Sequence, residues 1–270
     1  MSGGGPRVTR ETLVPRLDAL GDVKLIGLGG VGCVLARYGG LYLASLDAET
    51  RLVLVDGDAF EPSNASRMLF AEAGNKAELV RQDLLRDLGE TSLSVEAIAA
   101  YVTPDNIDDV IQDGDIVLLA VDNHATRKLV SDFCADRRRN VCLISGGNDG
   151  VGADSTGRIL RGTAGNCQIY IRRDGVDLTP SLTAYHDEIR NPADTLPDPS
   201  CTELLEQGVP QILLANLMVA VSMLDSLWLY LCDALHYEEL IFDIAEGLMR
   251  PVQLNVPERR TEDGVPPEAA

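Results

Sequence analysis

Apolar positions in the first half of the chain fall into short unbroken runs, and longer stretches between them repeat apolar residues every three or four positions. Runs of the first kind suit strands buried on both faces and stretches of the second kind suit amphipathic helices, so the alternation predicts a parallel sheet with helices on its faces. "VKLIGLG" and "RLVLVD" read as strands, with a helix between them from about Val31 to Ser45. A second helix is expected over about Lys76 to Leu88. "LSVEAIAAYV" is ambiguous, and its alternation favours a strand; "DIVLLAVD" is a strand ending at Asp122, followed by a helix from His124 to Asp136 and a strand in "NVCLISGG".

Beyond Ser145 the pattern changes. Glycine, asparagine and threonine crowd residues 146 to 167, "NCQIYIRR" reads as one strand, and residues 174 to 200 form a long polar stretch of the kind that is usually functional or mobile. An apolar helix is expected near Pro210 to Leu235, then a strand "ELIFDI", a turn at Glu246 and Gly247, and a last strand in "MRPVQLNV". Residues 1–8 and 258–270 read as disordered tails. The expected organisation is one domain over 9–257, with a nucleotide-binding half at about 22–145 and a partner-binding and dimer half at about 146–257. No internal repeat is visible.

Composition narrows this picture. The chain has 270 residues, 45% of them hydrophobic, which is enough for a full core, and its net charge of −19 is spread along its length. Such a surface repels nucleic acid and anionic membranes. Six scattered cysteines without a CxxC pair, and no N-terminal apolar segment resembling a signal peptide, suggest a reducing cytoplasm and neither a disulfide framework nor a four-thiolate zinc site. The run from Ile212 to Leu231 has nearly the length of a bilayer span, but Asn216 and Asp225 interrupt it without cationic flanks, so a buried helix or subunit contact is favoured.

The candidate chemistry begins at "GLGGVG" (Gly27, Gly29, Gly30, Gly32), which follows a strand and opens a helix. There the backbone can approach a phosphate while helix N–H groups face its charge. Asp56 ends the next strand, where a carboxylate can accept from ribose hydroxyls. A nicotinamide enzyme would need no more. Asp58, Asn64, Arg67 and Lys76 follow closely, however, and an amide with two cations suits a triphosphate better than a dinucleotide. Asp122, at another strand's carboxyl end, is placed to hold magnesium. ATP is therefore favoured as the ligand on a doubly wound, Rossmann-like, mostly parallel α/β sheet with a C-terminal mixed-strand extension.

"GLGGVG", "VDGDAFEPSNASRMLF", "GNKAE" and "AVDNHATRKLV" resemble in order and spacing the ThiF/MoeB/HesA adenylyltransferases, relatives of ubiquitin-activating enzymes. The resemblance is strong over about 22–145 and continues more weakly through "PSCTELLEQGVPQILLANLMVAVSML" and "LIFDIAEGLMRPVQL". It implies that Gly27 to Gly32 and Asp56 hold the nucleotide, that Asn64, Arg67 and Lys76 contact its phosphates, and that Asp122 supports Mg2+ and the reaction centre. Asn123 and Arg127 complete an Asp-Asn-x-x-x-Arg pattern, with Arg127 read as structural. The implied reaction joins a carboxylate, typically the C-terminal glycine of a ubiquitin-like or sulfur-carrier protein, to the α-phosphate of ATP, usually in a homodimer.

The chain departs from the family in having Arg67-Met68 where Arg-Gln is usual, and in lacking the two CxxC zinc pairs of many members. Arg7 and Arg10 are the candidates for an arginine that enters the partner subunit's site in some relatives. Cys201 lies in "SCTE", whose capping-box spacing puts it in the first turn of a helix, where thiolate is favoured. In similar enzymes a cysteine hereabouts can accept the activated acyl group or sulfur, while many relatives need only adenylation. The other five cysteines read as core, and His186 as a solvated loop residue. Two alternatives stay open, a nicotinamide-dependent oxidoreductase and a non-catalytic nucleotide-binding scaffold of the same fold.

Overall fold

The computed structural model describes residues 13–60, 73–153, 157, 159–197 and 212–253. After a 3-10 turn at Leu17–Ala19 the elements are β1 (Val23–Ile26), α1 (Gly30–Ser45), β2 (Thr50–Val55), β3 (Ala59–Phe60), β4 (Gly74–Asn75), α2 (Lys76–Leu88), β5 (Leu93–Ile98), α3 (Ile107–Val110), β6 (Ile116–Leu119), α4 (His124–Arg137) and β7 (Val141–Asn148). They continue as β8 (Val151–Ala153), β9 (Ile159–Arg161), β10 (Ala164–Arg173), β11 (Val176–Asp177), α5 (Asp187–Arg190), α6 (Leu213–Leu231), β12 (Tyr237–Asp243) and β13 (Leu248–Gln253).

One sheet runs through both halves in the order β13-β12-β10-β7-β6-β1-β2-β5, with β11 beside β10. The five strands from β7 to β5 are mutually parallel, and β10, β12 and β13 extend the sheet antiparallel. Side-chain alternation explains why the central strands read as unbroken apolar runs. Leu25, Leu52, Leu54, Ile116 and Leu118 pack into a core with α1, α2 and α6. Ile26, Val53, Val55, Val117 and Leu119 pack into a second core with α3, α4 and α5 on the opposite face. Each strand is thus covered on both sides, as parallel strands are.

Several elements differ from the sequence pattern. β5 stops at Ile98 rather than continuing through Val102, because the Asn106 amide donates to Tyr101 O at 2.9 Å while its Oδ1 accepts from Thr103 N at 2.8 Å, and together they turn the chain. The glycine-rich connection after β7 contains the hairpin β8–β9. Arg138, which follows α4, is held rather than solvated: its guanidinium lies 4.5 Å from the Phe133 ring centre and pairs with Asp108 at 2.7 Å.

By length and composition α6 is apolar enough to cross a bilayer. In the fold its Ala215, Val219, Met223 and Leu227 are buried in the core against β7 and β10. The buried hydroxyls of Ser222 and Ser226 donate to the carbonyls of Met218 and Ser222 one turn back, both at 2.8 Å. These hydroxyls are thus buried without being left unpaired.

Residues 174–197 form a docked strap, with β11 paired to β10 and α5 packed against α4. His186 is half-buried, with Nε2 3.0 Å from Glu239 on β12 and Nδ1 2.9 Å from Glu188, which corrects its reading as a solvated histidine. The hydrogen bond to Glu239 is the main cause holding the imidazole pKa above its ordinary value, and Glu188 adds to it. A raised histidine contributes stability that is complete below the ordinary value of 6.5 and is lost as pH rises through the raised one. His186→Gln should therefore unfold at a lower temperature than the parent in mild acid, with the difference shrinking as pH rises. Thermal melts across that range check it, and a pH-independent difference would count against the ion pair.

Candidate functional site

The carboxyl ends of β1, β2 and β6 meet the starts of α1, α2 and α4, where open parallel sheets bind ligands. Gly27 N–H donates to Val55 O at 2.9 Å, so the glycine loop leaves β1 tied to β2. Gly27 has φ +90°, and a Cβ there would lie 2.9 Å from the Ala120 backbone. A Cβ on Gly32 would fall 1.9 Å from Gly27 O, so the first turn of α1 must pass directly over the strand end. Gly30 faces the buried Asn216 of α6. Gly29 is the exception, with nothing within 4 Å of the place its Cβ would occupy. Three of these glycines let the protein pack; the fourth leaves room at the helix N-terminus.

Asp56 binds both sides of the loop junction. Its Oδ2 accepts from Leu28 N at 2.5 Å and its Oδ1 from Asp58 N at 2.7 Å. Burial pushes its pKa above the usual carboxylate value, and the nearby Lys76 ammonium opposes the shift. Two backbone donors still leave a carboxylate free lone pairs for a further donor such as a ribose hydroxyl. Asp58 turns the other way: Oδ2 pairs with Lys76 Nζ at 2.7 Å, and Oδ1 accepts the Tyr101 hydroxyl. The Lys76 side chain is 9% exposed, so this cation is enclosed beside two carboxylates rather than solvated.

Asn75 fixes Lys76 from the backbone. As the N-cap of α2, its Oδ1 accepts from Ala77 N at 2.9 Å and Glu78 N at 3.2 Å, and its Nδ2 donates to Asp56 O and Asp58 O at 2.9 and 3.1 Å. One side chain thereby ties the helix carrying the cation to the loop carrying the acids. β3 and β4 pair beside it, with Ala59 opposite Asn75.

Asp122 stands exposed after β6, close enough to raise the Tyr101 pKa, behind the larger effects of burial and Asp58. Arg127 is buried, and its guanidinium donates to Val121 O at 2.9 Å and Gly146 O at 2.8 Å, joining the ends of β6 and β7 behind Asp122. Asn123 caps α4, its Oδ1 accepting from Thr126 N at 2.7 Å. The next two N–H groups, of His124 and Ala125, donate to the two Asp194 oxygens at 2.8 Å each, which anchors the strap to this helix.

Of the residues singled out in the sequence, the fold brings together Gly27, Gly29, Gly30, Gly32, Asp56, Asp58 and Lys76, with Asp122 and Asn123 at the neighbouring strand end. Asn64, Arg67 and Cys201 lie outside the described residues, as do Met68, Arg7 and Arg10. Tyr101, Asn75 and Asp194 were not singled out. A signal existed for Asn75, an N-cap residue directly before a helix; none marked Tyr101 or Asp194, whose partners are remote in sequence. Among the described cysteines, Cys134, Cys142 and Cys167 are buried while Cys33 and Cys232 are partly exposed, and burial raises the pKa of all five thiols, Cys33, Cys134 and Cys167 to about 12.

The chain is similar to known proteins in sequence and in fold. "Adenylyltransferase and sulfurtransferase uba4" of Emericella nidulans is 36% identical over 135 residues, covering 47% of this chain and 27% of that protein. "Adenylyltransferase and sulfurtransferase MOCS3" of Mus musculus is 32% identical over 137 residues, 47% of this chain and 29% of that protein. The chain thus spans between a quarter and a third of the length of these relatives. The fold resembles the crystal structures of E. coli MccB with ATP (TM-score 0.62, 17% identity, 88% of this chain and 65% of that one) and with AMPCPP and MccA (TM-score 0.61, 17% identity, 88% and 66%). The ThiF family profile matches residues 9–251, nearly the whole chain and every described site residue, and the protein belongs to the ThiF family.

Proposed function

We propose that this protein is an ATP-dependent adenylyltransferase that activates a carboxylate, most simply the C-terminal glycine of a ubiquitin-like or sulfur-carrier protein, as an acyl-adenylate with release of pyrophosphate. The observation that carries this reading is the enclosed Lys76 ammonium, held by Asp58 beside Asp56 and the glycine loop. A dinucleotide enzyme uses the loop and the acid, but a buried cation there matches a polyphosphate. The names of the relatives and the nucleotides in the MccB structures support the same reading.

The residues fit the nucleotide. The open space over Gly29 admits a phosphate to the α1 N-terminus, Asp56 has acceptor capacity for a ribose, and Lys76 retains two ammonium protons after pairing with Asp58. Mg2+ commonly takes one or two carboxylates together with substrate phosphates and water. Among the described residues no group of three His, Cys, Asp or Glu could hold a metal, so the ion would arrive with the triphosphate and meet Asp122. It would neutralise charge on the phosphates, while this chain orients the α-phosphate and balances the leaving pyrophosphate.

Transfer of the acyl group to the Cys201 sulfur, with AMP leaving, is the second step this reading allows. The five other thiols are disfavoured as nucleophiles by their raised pKa values. Exposed apolar side chains on α1 (Tyr38, Leu41) and on α6 packed beside it (Leu214, Val221) support a homodimer through this face.

The deciding experiment is magnesium-dependent exchange of labelled pyrophosphate into ATP, started by a small carrier protein ending in Gly-Gly. Exchange is expected in the parent, and a hydroxylamine-labile adduct lost in Cys201→Ala would add the second step. ATP binding without exchange, or an ATP-independent hydride transfer, would overturn the assignment. Sedimentation of the same sample as a monomer would remove the dimer.

A further inference from the structure

Lys76 is aimed by its partner, and that partner is itself held. Asp58 Oδ2 takes the ammonium at 2.7 Å, while Oδ1 takes the hydroxyl of Tyr101, a residue beyond the end of β5. The Tyr101 ring rests on the backbone between the two acids: a Cβ on Gly57 would lie 2.6 Å from its Cγ. The Asn106 amide pins the tyrosine main chain from the other side. Burial and the Asp58 carboxylate both push the phenol pKa up, so the hydroxyl stays a donor throughout the neutral range.

A carboxylate paired only with a flexible ammonium can swing about two torsions and carry the cation with it. One whose second oxygen is taken by a fixed phenol has a single orientation, and its charge is shared between two donors. The ammonium then has one proton committed to Asp58 and two directed elsewhere. We propose that Tyr101 is a positioning residue for adenylation, fixing Asp58 and through it aiming the Lys76 ammonium at the nucleotide phosphates. The inference rests on the ATP reading above for its functional consequence, and on side-chain geometry alone for the aiming of Lys76.

The experiment has one arm for each. Tyr101→Phe keeps the ring on Gly57 and deletes one hydroxyl. In the nucleotide arm it should weaken ATP binding or slow pyrophosphate exchange by about fivefold to tenfold, the scale of losing one typical hydrogen bond, while adenosine binding stays near the parent value and the unfolding temperature falls by no more than a few degrees. In an Asp58→Ala background the same change should add nothing, because the hydroxyl acts only through that carboxylate. In the second arm, without nucleotide, the rate of reductive methylation of Lys76, read by peptide mass, should rise severalfold as its partner loosens.

Equal losses of ATP and adenosine binding would make Tyr101 a packing residue and overturn the proposal. So would unchanged Lys76 methylation, or a full Tyr101→Phe effect in the Asp58→Ala background. If the parent binds no ATP while Lys76 methylation still responds to Tyr101→Phe, the nucleotide assignment fails and the aiming of Lys76 stands.

Discussion

Gly32→Ala is expected to lower stability by about 3 kcal/mol, the upper end of what over-packing costs, and to abolish nucleotide binding with it. The added methyl would lie 1.9 Å from Gly27 O, far inside contact distance, and the obstructing atom is main chain that Gly27 N–H ties to β2. Neither side can yield without unpicking the end of β1 or the first turn of α1. In a domain of ordinary marginal stability such a loss corresponds to a fall in unfolding midpoint on the order of 10 °C.

Gly29→Ala is the matched control, since nothing lies within 4 Å of its added methyl and the backbone there is already at negative φ. It should melt like the parent yet bind ATP about tenfold or more weakly, because the open space over the helix N-terminus is what admits a phosphate. Thermal melts and ATP titrations of the two variants separate a glycine kept for packing from one kept for the ligand. If Gly29→Ala binds ATP normally, the phosphate does not come this way.

That contrast also shows what the sequence could and could not reveal. "GLGGVG" announced a close backbone approach, but four identical glycines carry no mark saying which meets Gly27 O, which meets Asn216 and which is left open at the helix N-terminus. The strands β1, β2, β6 and β7 were legible because both their faces are buried, which leaves an apolar run. Asp56 and Lys76 were legible because each sits at the end of an element, where a polar residue against an apolar pattern stands out.

The long-range contacts made by side chains were not. Tyr101 reaches Asp58, Asp194 reaches the N-terminus of α4 and His186 reaches Glu239 across the sheet. Each pair is made by tertiary folding, and neither member looks unusual in its own neighbourhood. The short elements α3, α5, β8 and β9 were hidden for a related reason, being held by their surroundings rather than by a period long enough to read. His186 shows the consequence: its local sequence is polar and loop-like, and only the fold brings Glu239 to its ring.

Lys76→Met should reduce pyrophosphate exchange about 10²-fold or more, the scale of losing one preorganised charge-stabilising group in a water-poor site. Methionine fills most of the same enclosed slot, so the loss reads out charge rather than a cavity. Lys76→Arg is not expected to restore the rate, because a wider planar guanidinium cannot occupy a 9% exposed position shaped for a point charge. The variant also tests the electrostatics independently of catalysis. Burial raises the Asp56 pKa and the Lys76 ammonium opposes that rise, so removing the ammonium moves Asp56 further up. For a carboxyl with a raised pKa, the stabilising contribution is complete below the ordinary value of 3.8 and is lost as pH rises through the raised one. The unfolding midpoint of Lys76→Met should therefore approach that of the parent in acid and fall progressively below it as Asp56 ionises without its cation. A gap that stays constant with pH, or exchange that survives the substitution within a fewfold of the parent, would mean that Lys76 neither holds the acids nor meets the phosphates.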